Sequence, residues 1–535
     1  MPLRVIIPTA GTGSRLFEKT KFINKSLIEI GNKPAISHII DMFPEDTEFV
    51  IALGHKGALV KEYLSLAYPE KKFFFKYINP YLGKNSGLGV TLLQCKKFLQ
   101  RPFLFISCDS IIPHKIKKLD SNWVGYSSSK DISNYRSLKI NKRLVEEFYE
   151  KNEGYKSNNA YIGIAGIKDY KIFWSELSNN KNKAKIKGEV LGLKAILKKK
   201  NIKAKKFNWY DTGNLNSYKI AKKKYTNKNQ PNILEKSNES IWFHKNFVIK
   251  FSTDTRFIFQ RIKRSKIIKN FVPKILAFGK NMYKYQYVDG KVLSSILSIY
   301  LFKRLLFELK KFWVIKKLNI KKNKIFNKNC YKFYYLKSIK RIDLFYSKSN
   351  KIDQNQIING VKIPKLAKLI QKINWKFISK GLPGRFHGDL HFENIVFNKT
   401  YNKFTFLDWR QDFENDTRVG DIYYDLAKLM HGIIVSHAEV NKNKFKVSWK
   451  KNTINFSIVQ SKVHKASSIY YEKWLKDNNY SIPKVRIITS LIFLNIAPLH
   501  HYPYSLFLYA LGKSMLFEEL KKIDKYKTTI TDINI

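Results

Sequence analysis

His387-Gly388-Asp389-Leu390-His391-Phe392-Glu393-Asn394 decides how this chain is read. It sets an Asp and an Asn five positions apart, behind a strand-like approach, Gly384-Arg385-Phe386. Nineteen residues past Asp389, Phe406-Leu407-Asp408 closes a second apolar strand with another carboxylate. Such a set suits phosphoryl transfer from ATP. One carboxylate accepts the proton of the attacking hydroxyl, and an Asn and a second carboxylate hold Mg²⁺ on the phosphates. Asp389 is the candidate base, and Asn394 and Asp408 are the candidate metal ligands.

These residues resemble the aminoglycoside phosphotransferase and choline kinase family, which has the protein-kinase-like fold. The resemblance implies a bilobal α+β domain over residues 234–535. It also implies that Lys250, in the strand-like run Phe247-Val248-Ile249-Lys250-Phe251, contacts the ATP phosphates. Tyr285-Gln286-Tyr287-Val288-Asp289-Gly290 resembles the hinge between lobes, where backbone groups around Tyr287 hold adenine. Two departures stand out. The loop Lys236-Ser237-Asn238-Glu239-Ser240 has no Gly, and no Glu occurs from Lys250 through Tyr300, leaving Asp254 or Gln260 to pair the lysine. His387 is expected to be a buried scaffold group donating to backbone near Asp408, and His391 to pack or to face the acceptor. Asp421 and Asp425 fall on the helix that follows in this family, where one Asp braces the catalytic loop.

The first half opens on a strand, Arg4-Val5-Ile6-Ile7, and a turn, Thr9-Ala10-Gly11-Thr12-Gly13-Ser14-Arg15. A Gly-rich turn after a first strand lets backbone N–H groups approach phosphates. A dinucleotide-binding turn would want a third Gly where Leu16 stands. Instead Lys25-Ser26-Leu27-Ile28-Glu29-Ile30-Gly31-Asn32-Lys33-Pro34 follows. This order resembles the nucleotidyltransferases that make nucleotide-activated sugars and phosphocholine-type alcohols. The resemblance assigns Gly11, Thr12 and Gly13 to the phosphate loop, and Arg15 and Lys25 to its cations. Asn24 replaces the usual Pro and is expected to loosen the turn. Ser86 and Gly87, in Asn85-Ser86-Gly87-Leu88-Gly89, fall where the family reads the base. Asp109, closing Ile106-Ser107-Cys108-Asp109, and Asp211, in Trp209-Tyr210-Asp211-Thr212-Gly213, match its metal carboxylates. A helix N-cap for Asp109 and a turn former for Asp211 are the structural alternatives. Asn159–Gly163 resembles a strand facing the acceptor, with Glu189 nearby. The nucleophile is already a phosphate oxyanion, so no general base is needed; metal and cations stabilise the transition state.

Short apolar runs at Val5–Pro8, Phe49–Leu53, Phe73–Ile78 and Phe103–Ser107 read as strands, and Pro34–Met42 and Ala58–Ala67 as helices. Alternation of this kind predicts α/β architecture: a Rossmann-like, mostly parallel sheet with helices on both faces. The polar run 221–231, closed by Pro231, is the linker candidate, giving domains at 1–225 and 234–535 joined by 226–233. A strand pair at Ile241–Phe243 and Phe247–Phe251 follows. Residues 313–357 read either as helices carrying the second acceptor site or as partly loop. The apolar stretch 487–511 is broken by Pro498 and Pro503, so it reads as buried helices rather than a span.

The chain has 535 residues, 44% hydrophobic and 15% aromatic, enough for packed cores. Its net charge of +59 comes from lysines spread among Asn and Ile. A nucleic-acid patch would be focal, with Arg and interleaved aromatics, so a basic nucleic-acid-binding protein is the weaker class. Three cysteines without a CxxC pair exclude a disulfide framework and a Cys-rich zinc site, and fit a reducing cytoplasm.

A kinase makes a phosphomonoester and a nucleotidyltransferase consumes one. The resemblances together imply an enzyme that phosphorylates a sugar or small alcohol with ATP. It would then transfer NMP from a second NTP to the phosphate, with Mg²⁺ as cofactor. No nucleic acid and no membrane span are expected. A monofunctional transferase with a vestigial kinase is the alternative.

Overall fold

The computed structural model describes residues 1–128, 132–151, 157–226, 238–436, 439–440, 442 and 444–533, with side chains described to 524. The expected linker, apart from Thr226, lies outside the described residues, as do Lys236 and Ser237. The chain divides into two compact units, residues 1–258 with 275–287, and residues 259–274 with 288–535.

The first unit is built on a nine-stranded sheet. Its leading strands, Lys72–Tyr77, Glu48–Leu53, Arg4–Pro8 and Phe103–Ile106, are parallel neighbours in that order. Beyond Phe103–Ile106 the sheet turns mixed, continuing through the antiparallel strand Asn159–Ile167. Glu48–Leu53 is buried along its whole length, as a strand covered on both faces must be. Side chains alternate between two cores. Val5, Ile7, Phe49, Ile51 and Leu53 enter one. Ile6, Val50, Ala52, Phe103 and Phe105 enter the other.

Helix Gly57–Ala67 buries Val60, Tyr63, Leu64 and Ala67 at helical spacing. Against it lies a four-stranded antiparallel sheet containing Glu239–Phe243 and Phe247–Ser252, the strand pair expected from sequence. Trp242, Ile249, Phe251 and Met282 of this sheet join the first core. Glu62 accepts the backbone N–H groups of Asn281 and Met282 at 2.8 and 2.9 Å. The small sheet assigned from sequence to the second half thus shares the core of the first unit.

His244 is half of one such contact, its Nε2 lying 2.8 Å from Tyr63 Oη. Burial, then the charge of Lys33, holds its ring down to about 4 from an ordinary 6.5, with Lys284 and His38 adding to this and Asp41 opposing. Unfolding therefore takes up a proton between pH 6.5 and 4, so this contribution to stability is present above that window and lost as pH falls through it. One proton corresponds to a slope of about 1.4 kcal/mol per pH unit. Denaturant unfolding at successive pH values should show that slope for the wild type and a flatter one for His244→Gln.

The second unit is mainly helical. Residues 313–357, left open above, form helices Ile320–Tyr331 and Lys337–Ser349, joined by a π turn, Lys332–Leu336. Helices Ile422–Ile434, Ile482–Ile496 and Tyr504–Ile533 pack together. The segment Ile482–Leu499 is long and apolar enough to cross a membrane by composition, but 67% of it is buried inside the protein. The approach to Asp389 is a strand only over Pro383–Gly384, paired to Gly420–Asp421. Strands Ile395–Asn398 and Lys403–Phe406 form the hairpin that ends at Asp408.

Candidate active sites

Two constellations form, one in each unit. In the first, Gly13 lies at φ +68° and starts the 3₁₀ turn Ser14–Thr20. A Cβ there would come within 2.9 Å of Lys25 Cβ, so the phosphate-loop candidate and the lysine are packed together. Asn24 does not loosen this turn. Fully buried, it donates to the carbonyls of Thr9 and His55 at 2.9 and 2.6 Å and accepts from the N–H and hydroxyl of Ser26 at 2.9 and 2.8 Å. The amide replaces the rigidity a Pro would supply with four hydrogen bonds. Asn24→Ala should cost about 3 kcal/mol in denaturant unfolding, because it leaves buried carbonyls unpaired.

Lys25 donates to Asp109, which also accepts from Ser107. Burial would raise the Asp109 carboxyl; the charge and hydrogen bond of Lys25, then Ser107 and Arg15, overcome this and hold it at about 2. Asp211 reaches the same place from strand Tyr210–Asp211, which pairs antiparallel with Ser110–Ile111. Thr212 ties the two segments, its N–H donating to the Asp109 carbonyl at 2.9 Å. A Cβ on Gly213 would meet Asp109 Oδ2 at 2.9 Å, Asp211 Oδ1 at 3.0 Å and an Arg15 nitrogen at 3.5 Å. Both carboxylates and Arg15 therefore border one small space, which only a glycine leaves open. Burial and the neighbouring charge of Asp109 raise the Asp211 carboxyl. Two carboxylates held together against their repulsion, beside Lys25 and Arg15, fit a divalent cation carrying phosphates.

Sequence reasoning did not single out Tyr135, whose hydroxyl donates to Asp211 Oδ2 at 2.9 Å, or Asn214, which donates to the same oxygen at 3.2 Å. Gly11 has open space around its Cβ position. Ser86 turns back on Gly83, its hydroxyl donating to that carbonyl at 2.8 Å. Gly87 and Gly89 have a packing reason: Cβ atoms there would lie 2.5 Å from the Lys185 carbonyl and 2.1 Å from the Ala184 carbonyl. Glu189 is buried and its carboxyl raised by that burial.

In the strand Phe247–Ser252, Lys250 is buried, and an acid that lies upstream of it in sequence comes close. Glu239, on the neighbouring antiparallel strand, lies 4.0 Å away. The Tyr287 N–H donates to the Asn246 carbonyl at 3.0 Å, so that donor is already used within the first unit.

In the second unit the loop carrying Asp389 is braced from below. Asp425, on helix Ile422–Ile434, accepts the N–H groups of His387 and Gly388 at 2.6 and 2.7 Å and the Trp313 indole at 3.0 Å. Burial raises its carboxyl to about 6 despite those donors. Asp421 accepts from Leu382 N–H at 2.8 Å and the Tyr334 hydroxyl at 2.7 Å. His387 is wholly buried with Nε2 2.9 Å from the Leu407 carbonyl, beside Asp408, and burial holds its ring to about 3.

Asp389 Oδ1 lies 2.8 Å from Lys428 Nζ; Oδ2 faces Asn394 Nδ2 at 3.3 Å and His391 Nε2 at 3.7 Å. Desolvation would raise the carboxyl, but Lys428 and then His391 hold it well below the usual range. Desolvation opposes the charge on His391, yet Asp389 and Glu393 lift it to about 9. The Asn394 amide donates to the Asp389 carbonyl at 2.9 Å, leaving its oxygen as the acceptor atom. Asp408 sits at φ +54° and pairs with Arg261 of helix Thr255–Ile267. Arg264, on the same helix, donates to the Phe386 carbonyl at 2.5 Å. Lys428, Arg261 and Arg264 were not anticipated from sequence. Among the described residues no three acidic, His or Cys side chains gather as a metal cage.

Residues 359–443 match the model of the phosphotransferase enzyme family. The chain is 37% identical over 65 residues to glucose-1-phosphate cytidylyltransferase of Salmonella typhimurium, covering 12% of this chain and 25% of that protein. It is 28% identical over 219 residues to bifunctional protein GlmU of Methanocaldococcus jannaschii, covering 39% and 50%. The chain thus spans a quarter to a half of the length of these relatives. Among solved structures, CTP:phosphocholine cytidylyltransferase of Streptococcus pneumoniae aligns at 16% identity and a TM-score of 0.35, over 42% of this chain and 99% of that one. The N-terminal part of the chain thus resembles nucleotidyltransferases, and the C-terminal part contains a segment, residues 359–443, that matches the phosphotransferase enzyme family.

Proposed function

We propose that the C-terminal part, within residues 234–535, phosphorylates a sugar or small alcohol with ATP. The N-terminal part, residues 1–225, then joins that phosphate to the NMP of a second NTP and releases pyrophosphate. One observation carries this reading: a single chain holds the Asp389–Asn394–Lys428 group and the Asp109–Asp211–Lys25–Arg15 group, and the product of the first chemistry is the substrate of the second.

In the phosphotransferase part Asp389 orients the acceptor hydroxyl and takes its proton, while Lys428 and His391 fix the carboxylate. Asp425 holds the loop. In the transferase part Lys25 and Arg15 meet the triphosphate, and the incoming phosphate oxygen attacks the α-phosphorus. Asp109 with Asp211, and Asn394 with Asp408, would hold Mg²⁺, which neutralises developing phosphate charge when bound. Tethering keeps the phosphomonoester near the second site. Nucleotide-linked products of this kind would serve surface polysaccharide or lipid assembly in the cytoplasm.

The ion pair of Arg261 with Asp408 favours a second reading, a kinase-like part that binds nucleotide without turnover. Incubating the protein with Mg²⁺, ATP, a pool of sugars and alcohols and each other NTP decides between them. Nucleotide-linked masses that require both ATP and one NTP support the two-step reading. Products formed only from pre-phosphorylated acceptors support the second.

A further inference from the structure

The surroundings of Asp389 are lopsided. Its Oδ2 faces Asn394, the candidate metal ligand, whereas Oδ1 faces Lys428 and, beyond it, a basic cluster. Lys428 lies one turn past Tyr424 on helix Ile422–Ile434. Tyr424 meets Phe333 edge-on, with ring centroids 4.8 Å apart. Phe333 gathers two more cations: Lys337 Nζ lies 4.3 Å from its centroid and Arg410 Cζ 4.8 Å. Lys337 is also 5.7 Å from the Tyr424 centroid, and Arg341 follows one turn along helix Lys337–Ser349. The Arg410 stem packs on Gly388, where an added Cβ would come within 2.6 Å of Arg410 Cβ, so this arginine abuts the residue before Asp389. Its backbone N–H donates to the His387 carbonyl at 2.9 Å, and its guanidinium Nε donates to the Asp412 carbonyl at 2.9 Å.

The acids nearby are already committed. Asp389 faces Lys428 and His391, Asp421 and Asp425 lie buried under backbone N–H groups, and the Asp412 carboxylate accepts the Asn415 N–H at 3.3 Å. Among the described residues, Lys337, Arg341 and Arg410 make no ion pair. Burial, then the charges of Arg410, Lys428 and Arg341, depress the Lys337 ammonium well below its ordinary value, with Asp389 opposing. Cations collected on one face of a reactive carboxylate repel one another until an anion sits among them. A cationic acceptor would meet repulsion there, which choline, ethanolamine and amino sugars would each feel.

We infer that the acceptor phosphorylated at Asp389 is an anion, a small polyol whose non-reacting end carries a carboxylate or phosphate bound by Lys337, Arg341 and Arg410. The inference rests on the phosphotransferase reading above. In the step itself the acceptor hydroxyl oxygen bonds to the γ-phosphorus of ATP and the bond to the bridging oxygen breaks. ADP leaves with that electron pair, and the hydroxyl proton passes to Asp389 and on to water.

The test uses the full chain with Mg²⁺-ATP and matched probes: glycerate, glycerol 3-phosphate, glycerol and ethanolamine; gluconate, glucose 6-phosphate, glucose and glucosamine; and choline. ADP formation and calorimetric binding are both read. Anionic members should exceed their neutral and cationic counterparts by tenfold or more in kcat/KM. Carboxylate against phosphate preference names the end group. Lys337→Met and Arg410→Met should raise the acceptor KM tenfold or more with little change in the KM for ATP. Preference for a neutral or cationic probe, an effect of those variants on the ATP KM alone, or no binding of any anion would overturn the inference while leaving kinase activity in place. Anion binding without ADP formation would instead retain the site and remove the phosphotransferase reading.

Discussion

Asp389→Asn should lower kcat for phosphorylation of the free acceptor by about 10³-fold, within the range expected for loss of a positioned base. The change keeps shape and removes charge. It also leaves Lys428, 8% exposed and 2.8 Å from the lost carboxylate, without its counter-ion. Asp389 is itself half-buried, so breaking the pair from one side should cost about 1 kcal/mol, and the second unit should unfold slightly earlier in denaturant. Two readouts separate chemistry from stability: ATP binding should persist, and nucleotidyl transfer to a pre-phosphorylated acceptor should run at the wild-type rate. Retained activation of the free acceptor would show that Asp389 is not the base.

Asp109→Asn has the mirror effect. Nucleotidyl transfer should fall by about 10²–10³-fold, the usual cost of losing a group that stabilises transition-state charge. Phosphorylation of the free acceptor should continue and its phosphomonoester accumulate. The main chain should hold, because Thr212 hydrogen-bonds the Asp109 carbonyl rather than the side chain. Lys25, whose ammonium is raised by Asp109 against the pull of burial, loses that support. The variant should therefore bind NTP more weakly at high pH than the wild type does. Metal-dependent pyrophosphate release, followed by mass spectrometry of the phosphomonoester, checks both parts.

Much of this was legible in the chain because the groups that matter sit at short, fixed spacings. The unbroken apolar runs Val5–Ile7 and Phe49–Leu53 suit strands covered on both faces, and those residues do divide between two cores. Asp389 and Asn394 lie on one loop and meet directly. What was not legible depends on contacts between segments remote in sequence. Glu239 was hidden because an acid for Lys250 was sought downstream, whereas an antiparallel strand brings one from upstream, where Ile241 pairs with Lys250. Lys428, Lys337 and Arg410 carried no signal against so many lysines, and only folding gathers them near Phe333 and Asp389. Asn24 looked like a weakened turn because its spacing gives no hint that Thr9 and His55 are its acceptors. Gly87 drew a ligand explanation from sequence, and folding adds a packing reason for it and for Gly89 in the close approach of the Lys185 and Ala184 carbonyls.

The most direct test of the two-step account follows one phosphate. The protein is supplied with ATP labelled with ¹⁸O in the γ-phosphoryl group, the second NTP unlabelled, and the free acceptor. The account predicts that the label arrives in the phosphate that joins acceptor to nucleotide, and that Asp389→Asn abolishes its arrival. Nucleotide-linked product that forms without the label, or label that stops in free phosphate, would contradict it.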